Sequence, residues 1–144
     1  MMHALIMLLH EEHHSLVVAQ DMIRTFDGRG VSDLYRLLNE ESEWLRGALV
    51  ADKIVGKGAA ALMAAGRVKA VYAEVISQPA LYLLRQECVR VNYGALVPQI
   101  INRAGTGQCP LERRLTDCCS AAECLPLIRS FIEEMKSRRS LAGA

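Results

Sequence analysis

The sequence has no long apolar run, no dominant charge, few aromatic residues and no paired-cysteine pattern. Each shortage excludes something. No stretch approaches the roughly 18 apolar residues that mark a membrane-spanning helix, so no membrane association is expected. The N-terminus, MMHALIMLLHEE, lacks the basic start and small-residue cleavage site of a signal peptide, and it turns acidic at Glu11. The expected location is the cytoplasm. Lys and Arg number 17 against 16 Asp and Glu, a net charge of +1, so no global field favours nucleic acid. The cysteines are Cys88, Cys109, Cys118, Cys119 and Cys124. Their number is odd and no Cys-x-x-Cys occurs, which argues against a disulfide framework and a zinc knuckle.

What remains is an ordinary globular chain. Its 144 residues are 51% apolar and 23% charged, enough for one domain over 1–144, with a frayed tail from about 137. Leu5, Ile6, Leu8 and Leu9 predict an amphipathic helix over 2–13. His10, His13 and His14 stand at its end; they suit the helix dipole and solvent, and no fourth metal ligand accompanies them. Residues 15–19 and 22–26 read as an antiparallel hairpin around Gln20 and Asp21. Ser32 is placed to cap a helix over 33–41, with Leu34, Leu37 and Leu38 on one face.

A βαβαβ pattern follows. Residues 48–51 are almost all apolar, as in a strand covered on both faces. An alanine-rich helix spans 56–65 and ends at Gly66. A strand over 68–75 leads to a helix capped by Ser77, with Pro79 in its first turn and Leu81, Leu84 and Cys88 on its apolar side. The last strand covers 89–93. Crossovers of this kind give parallel pairing. The expected fold is α/β: a three-layer α/β/α sandwich around a mixed five-stranded sheet. Residues 96–101 read as a short helix, and Pro110 opens another to about Thr116. Ser120 and Glu123 have capping-box spacing for a C-terminal helix. In that helix Pro126 marks either a kink or the true start.

Two stretches can carry chemistry. In the first, Asp52, Lys53, Gly56, Lys57 and Gly58 surround a strand-to-helix turn. The P-loop pattern fails, because Ala51 replaces its first glycine and Gly58 its hydroxyl residue. Open backbone N–H groups and one ammonium still attract anions. A lysine in a first helical turn opposes the dipole, so something must favour it there. The competing reading has Lys57 facing solvent, paired with Asp52. The second stretch holds Asn102, Arg103, Gly105, Thr106, Gly107 and Cys109, followed by Glu112. Its glycines let N–H groups converge on an anion, and Arg103 and Thr106 add donors. Cys109 precedes Pro110 and can be an N-cap, where a helix terminus favours thiolate. Glu112 stands three residues on and could complete that cap. No histidine accompanies Cys109, since all four histidines lie in the first fourteen residues.

The phrases ADKIVGKGAA (51–60), VISQPAL (75–81) and INRAGTGQCPLE (101–112) carry a resemblance to the cytidine deaminase-like superfamily. Within it, the chain resembles a family of uncharacterised bacterial proteins. The resemblance runs from about Ser15 into the C-terminal helix and implies the fold and the site's location. Zinc deaminases carry His-x-Glu at one helix start and Pro-Cys-x-x-Cys at the next. Those motifs fall on Lys57-Gly58-Ala59 and on Pro79-Ala80-Leu81-Tyr82-Leu83, where only the proline survives. Neither metal nor deamination carries over.

Three readings follow. In the first, the domain binds a small anionic or nucleotide-like ligand, without cofactor or metal, through Lys57 and the 102–109 loop. In the second, it is a metal-independent enzyme using Cys109, with Lys57, Asp52 or Glu112 assisting. In the third, it is a regulatory or interaction module with a vestigial pocket. Homo-oligomerisation is open in all three.

Overall fold

A computed structural model of the chain describes residues 1–28, 31–101 and 105–143, with side chains described as far as residue 139. Helix α1 (Met2–Glu11) precedes the hairpin β1 (Leu16–Ala19) and β2 (Ile23–Phe26). Helix α2 (Ser32–Glu40) and a 3-10 turn (Ser42–Trp44) lead into β3 (Leu49–Val55), α3 (Lys57–Ala65), β4 (Ala70–Ser77), α4 (Gln78–Gln86) and β5 (Arg90–Val97). The short α5 (Pro110–Arg114) and the long α6 (Ala121–Gly143) close the order.

The five strands form one mixed sheet, β2-β1-β3-β4-β5. β1 runs antiparallel to both β2 and β3, and β3, β4 and β5 run parallel. Both parallel connections carry a helix, as a parallel crossover requires. Helices cover both faces. On one, Leu5 and Leu9 of α1 bury Val17, Ala19 and Ala51. On the other, a larger core joins Val18, Val50, Val71 and Ala73 of the sheet to residues of α2, α3, α4 and α6. Ala59, Ala60 and Ala61 give α3 a thin face that seats closely on the sheet. Among the described residues no helix is long and apolar enough to cross a membrane.

Several local expectations are corrected. Residues 96–101 are not a helix: β5 continues to Val97, paired with Ser77, and Ile101 bridges back to Gln108. Pairing along the full length of β4 outweighs the weak local preference of Gly94 and Ala95. Val31, not Ser32, is the N-cap position of α2, without a side-chain hydrogen bond. Cys88 leaves the apolar side of α4 and sits exposed at φ 62°. Pro126 lies inside α6, which starts at Ala121 and reaches Gly143. The carbonyl Pro126 leaves unbonded belongs to exposed Ala122, where water can serve it. The caps at Ser77 and Ser120 form as expected: Ser77 Oγ accepts from Ala80 N–H and Ser120 Oγ from Glu123 N–H.

Candidate functional site

Strand β3 ends at Val55, and Gly56 turns the chain into α3 as its N-cap. A helix begins there with orphan N–H groups pointing outward. An anion does meet them, and it belongs to the chain itself. Glu112, buried on α5, accepts hydrogen bonds from Lys57 N–H (2.5 Å) and Gly58 N–H (3.1 Å) through its two carboxylate oxygens. Gly56 is tolerated only as glycine in this arrangement. A Cβ there would lie 2.5 Å from Glu112 Oε1. A Cβ on Gly58 would lie 2.8 Å from Leu111 Cδ2.

Lys57 completes a reciprocal arrangement. Its side chain is buried, and its ammonium donates to the carbonyls of Leu115 (2.7 Å), Thr116 (3.4 Å) and Cys118 (2.6 Å). These carbonyls lie at and beyond the C-terminal end of α5, where backbone oxygens lack helical partners. The carboxylate therefore sits at a positive helix end and the ammonium among exposed carbonyl dipoles, each where electrostatics favours it. The solvent-facing Lys57 paired with Asp52 is not found; no ion pair joins those two residues among those described. The lysine is favoured in a first helical turn by its reach away from that turn. Glu112, for its part, caps α3 and not its own helix.

Asp52 lies on the neighbouring strand position, partly enclosed. Burial pushes its carboxyl up to about 7, partly offset by the Ile54 and Lys53 backbone N–H groups. Lys53 points the other way, as strand alternation requires. It lines a shallow depression of about 340 Å³ on the α1 face with Leu9, His10, His13, Ile54, Glu74 and Val75. His10 Nε2 is 3.4 Å from Glu74 there, and His14 bridges Asp27 and Glu12. The expected set is thus split across the sheet.

The loop before α5 is only partly described. Asn102 and Arg103 lie outside the described residues. Gly105 takes φ 72°, a conformation glycine favours, and Thr106 is exposed. Gly107 and Cys109 are half-buried. Cys109 is the N-cap residue of α5, as expected, but makes no side-chain cap; its N–H donates to Ile100 O at 2.9 Å. Beside the clamp, burial pushes the Cys124 thiol up to about 12, aided by neighbouring Cys118.

The resemblance implies zinc ligands and a proton-transfer group at Lys57, Ala59, Ala80 and Leu83. Ala59, Ala80 and Leu83 are buried in the main apolar core, and the Lys57 ammonium is occupied. None offers zinc a lone pair, so the residues do not fit that metal. Sequence reasoning missed the pairing of Glu112 with α3. Its one local signal was the lysine set against the helix dipole; its partner lies 55 residues away.

Among curated proteins, none matches the sequence. A crystal structure of a DUF1893 family protein, TM1506 of Thermotoga maritima, is 24% identical, covering 89% of this chain and 87% of that one, with a TM-score of 0.82. That likeness speaks to the fold alone. The sequence match to the TM1506 family, a domain of unknown function (DUF1893), spans residues 4–132, and the chain belongs to that family.

Proposed function

We propose that this domain is a deaminase-shaped module without deaminase chemistry, working in the cytoplasm through interaction or regulation, with its inherited pocket closed. The strand order, the helix starts after β3 and β4, and the three sequence phrases support the deaminase-like descent. One observation carries the closed pocket: Glu112 fills the anion position at the start of α3 while Lys57 is spent on three carbonyls. A nucleophilic Cys109 gains no support, since no histidine stands near it in sequence and its thiol caps nothing.

Isothermal calorimetry of the wild-type domain against nucleotides and carboxylated or phosphorylated metabolites tests this. No binding is expected. A nucleotide that binds wild type, and loses affinity in Lys57→Ala, overturns the reading.

A second reading keeps the anion site. It rests on the two N–H groups already arranged about a carboxylate, so the recognition chemistry is intact and only its occupant is internal. On this reading a phosphate or carboxylate ligand displaces Glu112. Acetate or phosphate would then stabilise Glu112→Ala against unfolding, and wild type to a lesser extent, since there the ligand must first displace the carboxylate. Equal effects on both proteins would remove it.

A further inference from the structure

We infer that the outer edge of β5 pairs with β5 of a second copy of this chain, antiparallel and centred on Gly94. This surface is independent of the Glu112 clamp. β5 is eight residues long and is hydrogen-bonded on one side only, to β4. Among the described residues no strand pairs with its outer edge. Long regular edges invite pairing, and proteins blunt those they do not use with charge, proline, bulges or brevity.

The two edges of this sheet differ in that respect. β2 is four residues long. Its Arg24 pairs with Glu41 and lies over the rings of Phe26 and Trp44. β5 has none of these devices along residues 91–97. Its one charge, Arg90, stands at the first position, and Pro98 follows directly after the last. Tyr93 and Leu96 are exposed at 38% and 41%.

The spacing is also self-complementary. In an antiparallel pair about a two-fold axis, opposite residues must share a face, which requires the axis to pass through a residue. Centred on Gly94, Val91 meets Val97 of the second copy, and Tyr93 meets Ala95. That row faces α4, as the packing of Val91 into the main core requires. On the other face Asn92 meets Leu96, beside Tyr72, whose hydroxyl would lie 3.2 Å from a Cβ on Gly94. Arg90 falls opposite Pro98, so no like charges oppose. An unrelated acidic or basic partner would find no complementary charge within 91–97. The axis also brings together the two α4 helices, whose exposed stripe of Gln78, Tyr82 and Arg85 flanks Leu81 in a depression of about 540 Å³.

Sedimentation of the full chain tests the proposal. A species of twice 15.9 kDa is expected at micromolar concentration, and Tyr93→Lys and Ala95→Lys should each raise its dissociation constant by at least roughly tenfold. Hydrogen exchange on wild type supplies a reading that needs no variant: amides of residues 91–97 should slow as concentration rises through the association range. A mass of 15.9 kDa throughout overturns the proposal. So does a dimer whose affinity ignores both folded variants, or whose β5 amides exchange at a concentration-independent rate. Pairing of β5 with a strand of a different chain, with no self-association, overturns it too.

Discussion

Glu112 and Lys57 close the same gap from opposite sides. The carboxylate on α5 accepts from the first N–H groups of α3, and the ammonium on α3 donates to the carbonyls at and beyond the end of α5. Glu112 satisfies N–H groups of Lys57's helix, and Lys57 satisfies carbonyls of the turn that follows Glu112's helix, so neither contact is local. What would be an open helix end in an anion-binding protein is here a joint between two elements.

That joint should behave as a unit. Glu112→Ala leaves two N–H groups without their charged acceptor, and Lys57→Met strips carbonyls of a charged donor. Each should cost about 2–4 kcal/mol. Together they should cost less than the sum by about 1–2 kcal/mol, because either change already loosens α5 from α3. Urea denaturation of the four proteins measures this. Strict additivity would show that the two contacts act separately.

Gly56 should change sign with its neighbour. In wild type, Gly56→Ala drives a Cβ into the Glu112 carboxylate and should cost about as much as losing that carboxylate, roughly 2–4 kcal/mol. Its backbone, φ −94° and ψ −177°, is extended and suits alanine. In a Glu112→Ala background the same substitution should therefore be neutral or stabilise by about 0.5 kcal/mol. Gly58→Ala meets only a leucine methyl, which can shift, and should cost roughly 1 kcal/mol in either background. Thermal melts of the matched pairs decide the point; a large cost for Gly56→Ala without Glu112 would mean the backbone, not the carboxylate, demands glycine.

Asp52 should make the fold more stable in mild acid. Its folded carboxyl titrates near 7 against 3.8 for the unperturbed group, because burial disfavours the charge. Between those values the native state holds a proton that the unfolded chain has released. Stability from this group therefore falls as pH rises from about 4 to about 7, then levels off. A shift of about three units would cost at most about 4 kcal/mol. Asp52 is only partly enclosed, so water offsets some of this and about 1–2 kcal/mol is expected. Asp52→Asn should remove that slope and be the more stable protein at pH 8. A wild-type profile that rises from pH 4 to pH 7, and is unchanged by Asp52→Asn, would contradict this.

Elements with a strong local signal were legible from sequence. The hairpin shows as an apolar run and an alternating one about a polar turn. Ser77 with Pro79 shows the start of α4, and Ser120 with Glu123 the start of α6. Both carry a side-chain oxygen at the right spacing for an orphan N–H, and that bond closes within four residues. The end of β5 did not show. Gly94 and Ala95 have little strand preference, and only the pairing of this stretch with β4, Tyr93 with Ala73 and Ala95 with Val75, keeps them extended.

The site divides in the same way. Sequence by itself determined that Gly56, Lys57 and Gly58 start a helix after a strand and that an anion would suit them. These follow from residue types and spacings along one segment. Tertiary structure alone decided which anion sits there. Nothing local ties Glu112 to α3; α5 must first pack against α3 for the carboxylate to reach the helix end. The same packing sends the Lys57 ammonium to the carbonyls beyond α5 and not toward Asp52. Charge chose the kind of partner, and the fold chose which one.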